Sequence, residues 1–197
     1  MNSAYNKFAW LLVCLFPVLA VAQISTDPAL VAKANAGDAA AQVALGEQYA
    51  QAGTQEHDKD LAADEYKQAE SWYRKAAGQN YIPGELHLAA LYRDGGKGID
   101  RSPEQAAVWY RKAAEQGDVF AQGTLGVLYS MGLGVSHDDA EAYFWLDLAA
   151  AVPGPDQEKY AANRQMVGTH ITTAELEDVQ DRVAAWKKAH PRAGETK

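Results

Sequence analysis

Small and apolar side chains recur through the middle of this chain at spacings of three and four residues, the period of a helix with one face turned inward. The clearest stretch runs from Gly117 to Ala150. Ala121, Leu125 and Tyr129 stack along one side of a first helix, and Gly126 beside them lets a second helix come close. Met131-Gly132-Leu133-Gly134 is a turn in which two glycines are free to take positive backbone dihedrals. Ala142, Trp145, Ala149 and Ala150 then rebuild an apolar side, so the stretch predicts a helical hairpin.

The same pattern occurs twice upstream. Gly84, Leu88, Ala89, Tyr92, Gly95 and Gly98 are followed by Ala106, Trp109, Tyr110, Ala113 and Ala114. Ala41, Leu45, Gly46, Tyr49 and Gly53 are followed by Trp72, Tyr73, Ala76 and Ala77. Tyr92 to Tyr129 is 37 residues, Trp109 to Trp145 is 36 and Trp72 to Trp109 is 37, but Tyr49 to Tyr92 is 43, with the surplus between Gln55 and Lys67. A lone hairpin cannot bury its apolar side until a neighbour stacks on it, so this periodicity predicts a solenoid over residues 23–152, with repeats at 37–78, 84–117 and 121–151.

The pattern A-x-x-x-L-G-x-x-Y-x-x-G-x-G-V, then an acidic residue, then A-x-x-W-Y-x-K-A-A-x-x-G, resembles that of the Sel1-like repeats, relatives of the tetratricopeptide repeats with a longer loop between helices. Residues 121–135 match its first half without a gap, and residues 106–117 match its second half through Trp109, Tyr110, Lys112, Ala113, Ala114 and Gly117. The chain departs at Gly84, where alanine is usual, at Ala89, where glycine is usual, at Tyr143-Phe144-Trp145-Leu146, which replaces the W-Y pair, and in the first-copy insertion. The resemblance covers residues 37–151 and implies an all-α fold, a right-handed superhelical solenoid of antiparallel helix pairs. Its matched positions build the hairpin: Leu45, Tyr49, Trp72, Leu88, Tyr92, Trp109, Leu125, Tyr129 and Trp145 form the expected repeat core.

Several element boundaries follow from local signals. Ala29 to Ala34 reads as a brief capping helix or as the start of the first repeat helix. Asp38 to Ala52 is a helix ended by Gly53, and Leu61 to Ala77 is a long partner whose excess projects past the stack. Ser102-Pro103-Glu104-Gln105 is a helix start with capping-box spacing, and helices over 103–116, 119–131 and 138–151 follow. Val152-Pro153-Gly154-Pro155 breaks the pattern. Beyond it, Asp156 to Val167, anchored by Tyr160 and Met166, and a helix opened by Thr172 and Glu175 make a C-terminal pair over 153–191 that caps the third repeat. Residues 192–197 read as a flexible tail.

The N-terminus changes the compartment. Lys7 precedes an apolar run from Phe8 to Ala22, interrupted by Pro17 and ending Ala20-Val21-Ala22, which is the form of a secretory signal peptide over 1–22. The run is shorter than the roughly 20 residues that cross a bilayer. The expected product is exported, to a periplasm or to the medium, with no stable membrane span after signal cleavage. Cys14, the single cysteine, lies inside that run, which leaves neither a disulfide framework nor a thiol nucleophile beyond it. The disulfide per repeat that staples some secreted members of the resembled family is therefore absent. A net charge of −8 with no basic run excludes nucleic acid and anionic membrane surfaces, which are bound chiefly through Lys and Arg.

Reaction chemistry finds little support in the residues. His57, His87, His137, His170 and His190 form no H-x-x-x-H pair, so no metal site is expected, and no cofactor motif is present. GGKG at 95–98 and GLG at 132–134 fall where each repeat must turn. No G-x-S-x-G occurs. The recurring tryptophans and tyrosines suit packing between hairpins better than a ligand platform.

What remains is surface. The tetratricopeptide resemblance implies that the first helix of each pair lines a concave side. Counting from Leu45, Leu88 and Leu125 places Val43, Leu86 and Gly123 two residues before, Glu47, Ala90 and Val127 two after, Ala50, Arg93 and Ser130 five after, and Gln51, Asp94 and Met131 six after. Glu47, Gln51, Leu86, Arg93, Asp94, Val127 and Met131 are the candidate binding residues, with Leu86, Val127 and Met131 alternatively covered by the C-terminal helices. The expected function is a non-catalytic interaction module whose partner is a protein or peptide of the cell envelope. Two rivals stand beside it. A hydrolase of cell-wall material or of a beta-lactam would show convergent carboxylates of raised pKa in the groove. A structural adaptor would use the insertion at 55–70.

Overall fold

The computed structural model describes residues 27–191; the signal peptide expected over 1–22 and the tail over 192–197 lie outside the described residues. Nine helices follow one another among the described residues: α1 (Pro28–Asn35), α2 (Ala39–Gln55), α3 (Lys59–Ala77), α4 (Ile82–Asp94), α5 (Pro103–Glu115), α6 (Val119–Met131), α7 (Asp139–Ala150), α8 (Gln157–Gly168) and α9 (Thr173–Ala189). An isolated bridge between Gly96 and Ile99 tightens the α4–α5 loop. Most of the starts are capped by a side chain, those of α4 and α8 excepted. Asp38, Asp58, Asp118 and Asp138 each accept a bond from a first-turn N–H, and Thr172 with Glu175 makes the full reciprocal capping box. Ser102 makes half of one: its hydroxyl accepts from the Gln105 N–H at 3.3 Å and donates to Glu104 at 3.1 Å.

Helices α2–α3, α4–α5 and α6–α7 form three hairpins, stacked through α3 on α4 and α5 on α6. The result is an all-α solenoid of helix pairs. Leu45, Trp72, Leu88, Tyr92, Leu125, Tyr129 and Trp145 are buried, while Tyr49 and Trp109 are half-buried at the edge. One end is closed by α1, a separate short helix that packs on α2 through Ala34, Ala41 and Leu45. At the other end α8 and α9 both lie against α7. Tyr160, Val167, Val179 and Val183 are their buried contributions, whereas Met166 is 58% exposed and anchors nothing.

Gly53 does not end a helix. α2 continues to Gln55, and Gly53 sits where α3 comes so near that an added Cβ would lie 2.9 Å from the Tyr66 ring and 3.1 Å from the Ala62 carbonyl. Nor does the surplus of the first repeat project freely. α2 and α3 lengthen together, and their far end leans onto the loop of the next repeat. The Tyr66 hydroxyl meets Thr54 at 2.9 Å while its ring lies against Gly96, and Lys97 donates to the Glu56 carbonyl at 2.6 Å.

Polar bonds recur at the joints. Arg74 donates to the Tyr92 hydroxyl and Arg111 to the Tyr129 hydroxyl, so each second helix reaches the first helix of the following repeat from the same register. Lys75 lies 3.4 Å above the Trp72 ring and Lys112 lies 4.2 Å above that of Trp109. In the third repeat Asp147 replaces the arginine, and the partners change sign with it: Arg164 of α8 at 2.6 Å and Lys187 of α9 at 3.2 Å.

A second recurrence is buried. Gln42 and Gln122 each donate to the carbonyl eight residues earlier, Ala34 at 3.1 Å and Ala114 at 3.2 Å, and Gln79 donates back to Gln42 at 2.9 Å. The corresponding position in the second repeat is Glu85, fully buried, which accepts from Gln116 at 2.7 Å and has no partner for its other oxygen. An ionised carboxylate cannot donate to Ala77, the carbonyl in equivalent register. Burial pushes the Glu85 pKa up, Lys112 opposes the rise and Glu115 adds to it.

Two outcomes are expected. The folded chain holds the Glu85 proton above the ordinary pKa of 4.5, so stability falls as pH rises from that value and levels off above the folded-state pKa. Glu85→Gln flattens this slope and gains about 1 kcal/mol at pH 7.5 but nothing near pH 4, read by urea denaturation at both values. Gly123→Ala sets a Cβ 2.1 Å from the Tyr160 ring, which must shift with α8, at a cost of about 1–3 kcal/mol in the same assay.

Candidate functional site

An open groove lies between α4 and the start of α6, with α5 contributing Tyr110. Pro83 in the first turn of α4 fixes the entry of the helix, and Ile82, Leu86, Ala90 and Arg93, spaced by three and four, line one wall. Asp118 and Phe120, at the start of α6, line the other, with Tyr110 beneath. The enclosed volume is about 390 Å³. Phe120 is 48% exposed although its ring meets Tyr110 edge-on, with centroids 6.2 Å apart.

Two of the charged groups lining the groove, Arg93 and His87, have acidic partners. Arg93 donates to both oxygens of Asp94, at 2.8 and 2.7 Å, and to the Tyr110 hydroxyl at 3.0 Å. The hydrogen bonds from Arg93 keep the Asp94 carboxyl below its usual range, and burial is what pushes the Tyr110 hydroxyl up. His87 stacks on Tyr73 with centroids 4.7 Å apart and meets Glu47 at 3.0 Å, tying α4 to α2. Tyr73, buried and facing Glu47, holds its proton far more tightly than a free tyrosine.

Leu86 and Arg93 line the groove, while Asp94 and Glu47 do not line it and are held by the lining residues Arg93 and His87. Gln51 and Met131 are exposed and line no part of it, and Val127 is half-buried against the core. At the outer repeats the position two residues before the buried leucine is closed: Val43 is buried, and Gly123 lies under the ring of Tyr160. Phe120, Asp118, Ile82 and His87 are the lining residues that counting from the buried leucines does not select. They stand in first turns or face the neighbouring helix, so their place depends on how the hairpins lean.

Beyond Phe120 a second hollow of about 260 Å³ opens between the start of α6 and the segment Val152–Gln157. His137 and His170 reach Asp139 from two loops, each at 3.4 Å. Among the described residues no group of three or more His, Cys, Asp or Glu is arranged to hold a metal ion, and no helix is long and apolar enough to cross a membrane.

Comparisons agree with this architecture. The chain is 36% identical over 124 residues to chitin synthase regulatory factor 3 of Schizosaccharomyces pombe, a match that takes in 62% of this chain and 13% of that protein's length. The structure of a Sel1 repeat protein from Oxalobacter formigenes superposes with a TM-score of 0.55 at 29% identity, over 66% of this chain and 92% of that one. A protective antigen of uropathogenic Escherichia coli strains, described as displaying an SLR fold, gives 0.55 at 26% identity, over 82% of this chain and 40% of that one. The Sel1 repeat itself matches at residues 39–81, 83–118 and 120–151, more than half of the sequence, and the chain belongs to the Sel1 repeat family.

Proposed function

We propose that this protein is an exported interaction module that seats a segment of a partner protein or peptide of the cell envelope in the groove between α4 and α6. The observation that carries the reading is the exposed Phe120 ring beside an apolar wall of Ile82, Leu86 and Ala90 on the first-helix side. Apolar walls with a few fixed polar groups are how extended segments are commonly held. The internal pairing of Arg93 with Asp94 and of His87 with Glu47 supports a role as rims that set register rather than as reacting groups. Two carboxyls have raised pKa values among the described residues, Glu65 and Glu85, and neither lines the groove, which weighs against the hydrolase reading. The signal-like start supports export. The names of the similar proteins, a regulatory factor and a protective antigen, are compatible with a binding role.

Selection of random displayed heptapeptides against the chain tests the reading. Ala90→Arg, on a half-buried position of the groove wall, is expected to weaken the recovered peptides at least tenfold without lowering the melting temperature. Asp60→Lys combined with Asp64→Lys, both exposed on α3 in the first-repeat insertion, is expected to leave binding unchanged. The reverse pattern would move the contact to the insertion.

A further inference from the structure

The hollow beyond Phe120 differs in character from the groove on α4. Its walls are Val119, Val152, Pro153, Pro155 and the rings of Phe120 and Tyr160, and Asp156 is the one charged residue that lines it. Asp156 holds the N-cap position of α8 but makes no side-chain capping bond. Asp118, at the N-cap of α6, spends one oxygen on the Ala121 N–H at 2.7 Å and also lines the adjoining groove. Asp156 lines the hollow beside the Tyr160 ring, and both carboxylates add to the rise that burial imposes on the Tyr160 hydroxyl.

Neither Asp118 nor Asp156 pairs with a basic side chain among the described residues, whereas Asp94, Asp139, Glu141 and Asp147 are each paired. Lys159 lies 6.0 Å from the Tyr160 ring centre and meets neither carboxylate. The starts of α6 and α8 favour an anion by roughly half a unit charge each, which offsets about half of the two carboxylate charges.

We propose that this hollow is the subsite for a lysine or arginine side chain of the segment bound in the neighbouring groove, an inference that rests on the groove reading above. An apolar pocket with an unpaired anionic rim suits a side chain with an aliphatic stem and a cationic head. The stem lies along Val119, Pro153 and the Phe120 ring, and the head reaches Asp156 and Asp118, with the Tyr160 ring as a further acceptor of positive charge. An apolar residue of the same segment fills the space beside Leu86 and Ala90, so the ligand class is a peptide that places a basic and an apolar side chain on either side of Phe120.

The test uses fluorescein-labelled heptapeptides recovered by display on the whole chain, titrated by anisotropy. Recovered sequences are expected to carry Lys or Arg, to weaken as sodium chloride is raised, and to lose at least tenfold in affinity for Asp156→Asn, with recovery in Asp156→Glu. Replacing the peptide's basic residue by glutamine is expected to cost as much on the wild-type chain and nothing further on Asp156→Asn. Thermal melts of each variant show that the fold is kept. Peptides that lose affinity for Ala90→Arg but carry no basic residue and ignore Asp156→Asn overturn the subsite and leave the groove standing. Peptides indifferent to Ala90→Arg, or no enrichment at all, overturn both.

Discussion

Each hairpin in this chain has an apolar side that only the next hairpin can cover. Alanines, leucines and aromatic rings on that side bury well, but a short two-helix unit has no interior of its own, so stability is shared between neighbours. The consequence is visible at the joints. Arginines of one repeat hold the tyrosine hydroxyls of the next, lysines cover the tryptophans of their own helices, and the buried Gln122 donates back to the Ala114 carbonyl of the repeat before it. The recurrence of these bonds at the repeat spacing marks them as part of the stacking.

A stack also has two ends, and the chain treats them differently. At the first, α1 covers a small cluster around Leu45 and Trp72. At the last, the arginine that would reach forward is replaced by Asp147, whose partners are basic residues on α8 and α9. That exchange stops the repeat and fastens the cap. Arg182 on α9 holds Glu141 in the same way.

Closing the stack shapes the surface left for binding. Tyr160 of α8 enters the space above Gly123 and covers that position of the third repeat, while Val43 is buried at the first. The groove lies between them, on α4 and the start of α6. The break at Val152–Pro155 that ends the repeats also forms the second hollow, so the cap both limits the groove and extends it past Phe120. Asp156 lines that hollow, and Asp118 lines the groove beside it.

By itself the sequence determined the hairpins and their order. Periodic Leu45, Leu88 and Leu125, the aspartate and threonine caps and the alanine-rich second helices depend on neighbours within a turn or on a spacing that any helix must obey, and the structure has them in those places. The places of Leu86 and Arg93 on α4 follow from the same spacing. Only the tertiary structure decided what Gly53 does, because its role is set by how near α3 approaches, and whether the first-repeat surplus stands free, because Tyr66 and Lys97 meet the next repeat across the joint. It alone placed Phe120, Asp118 and Asp156 around adjoining hollows. Their relation is a matter of the tilt between α4, α6 and α8, and helix tilt is fixed by side-chain packing between elements far apart in sequence, on which local periodicity has no bearing.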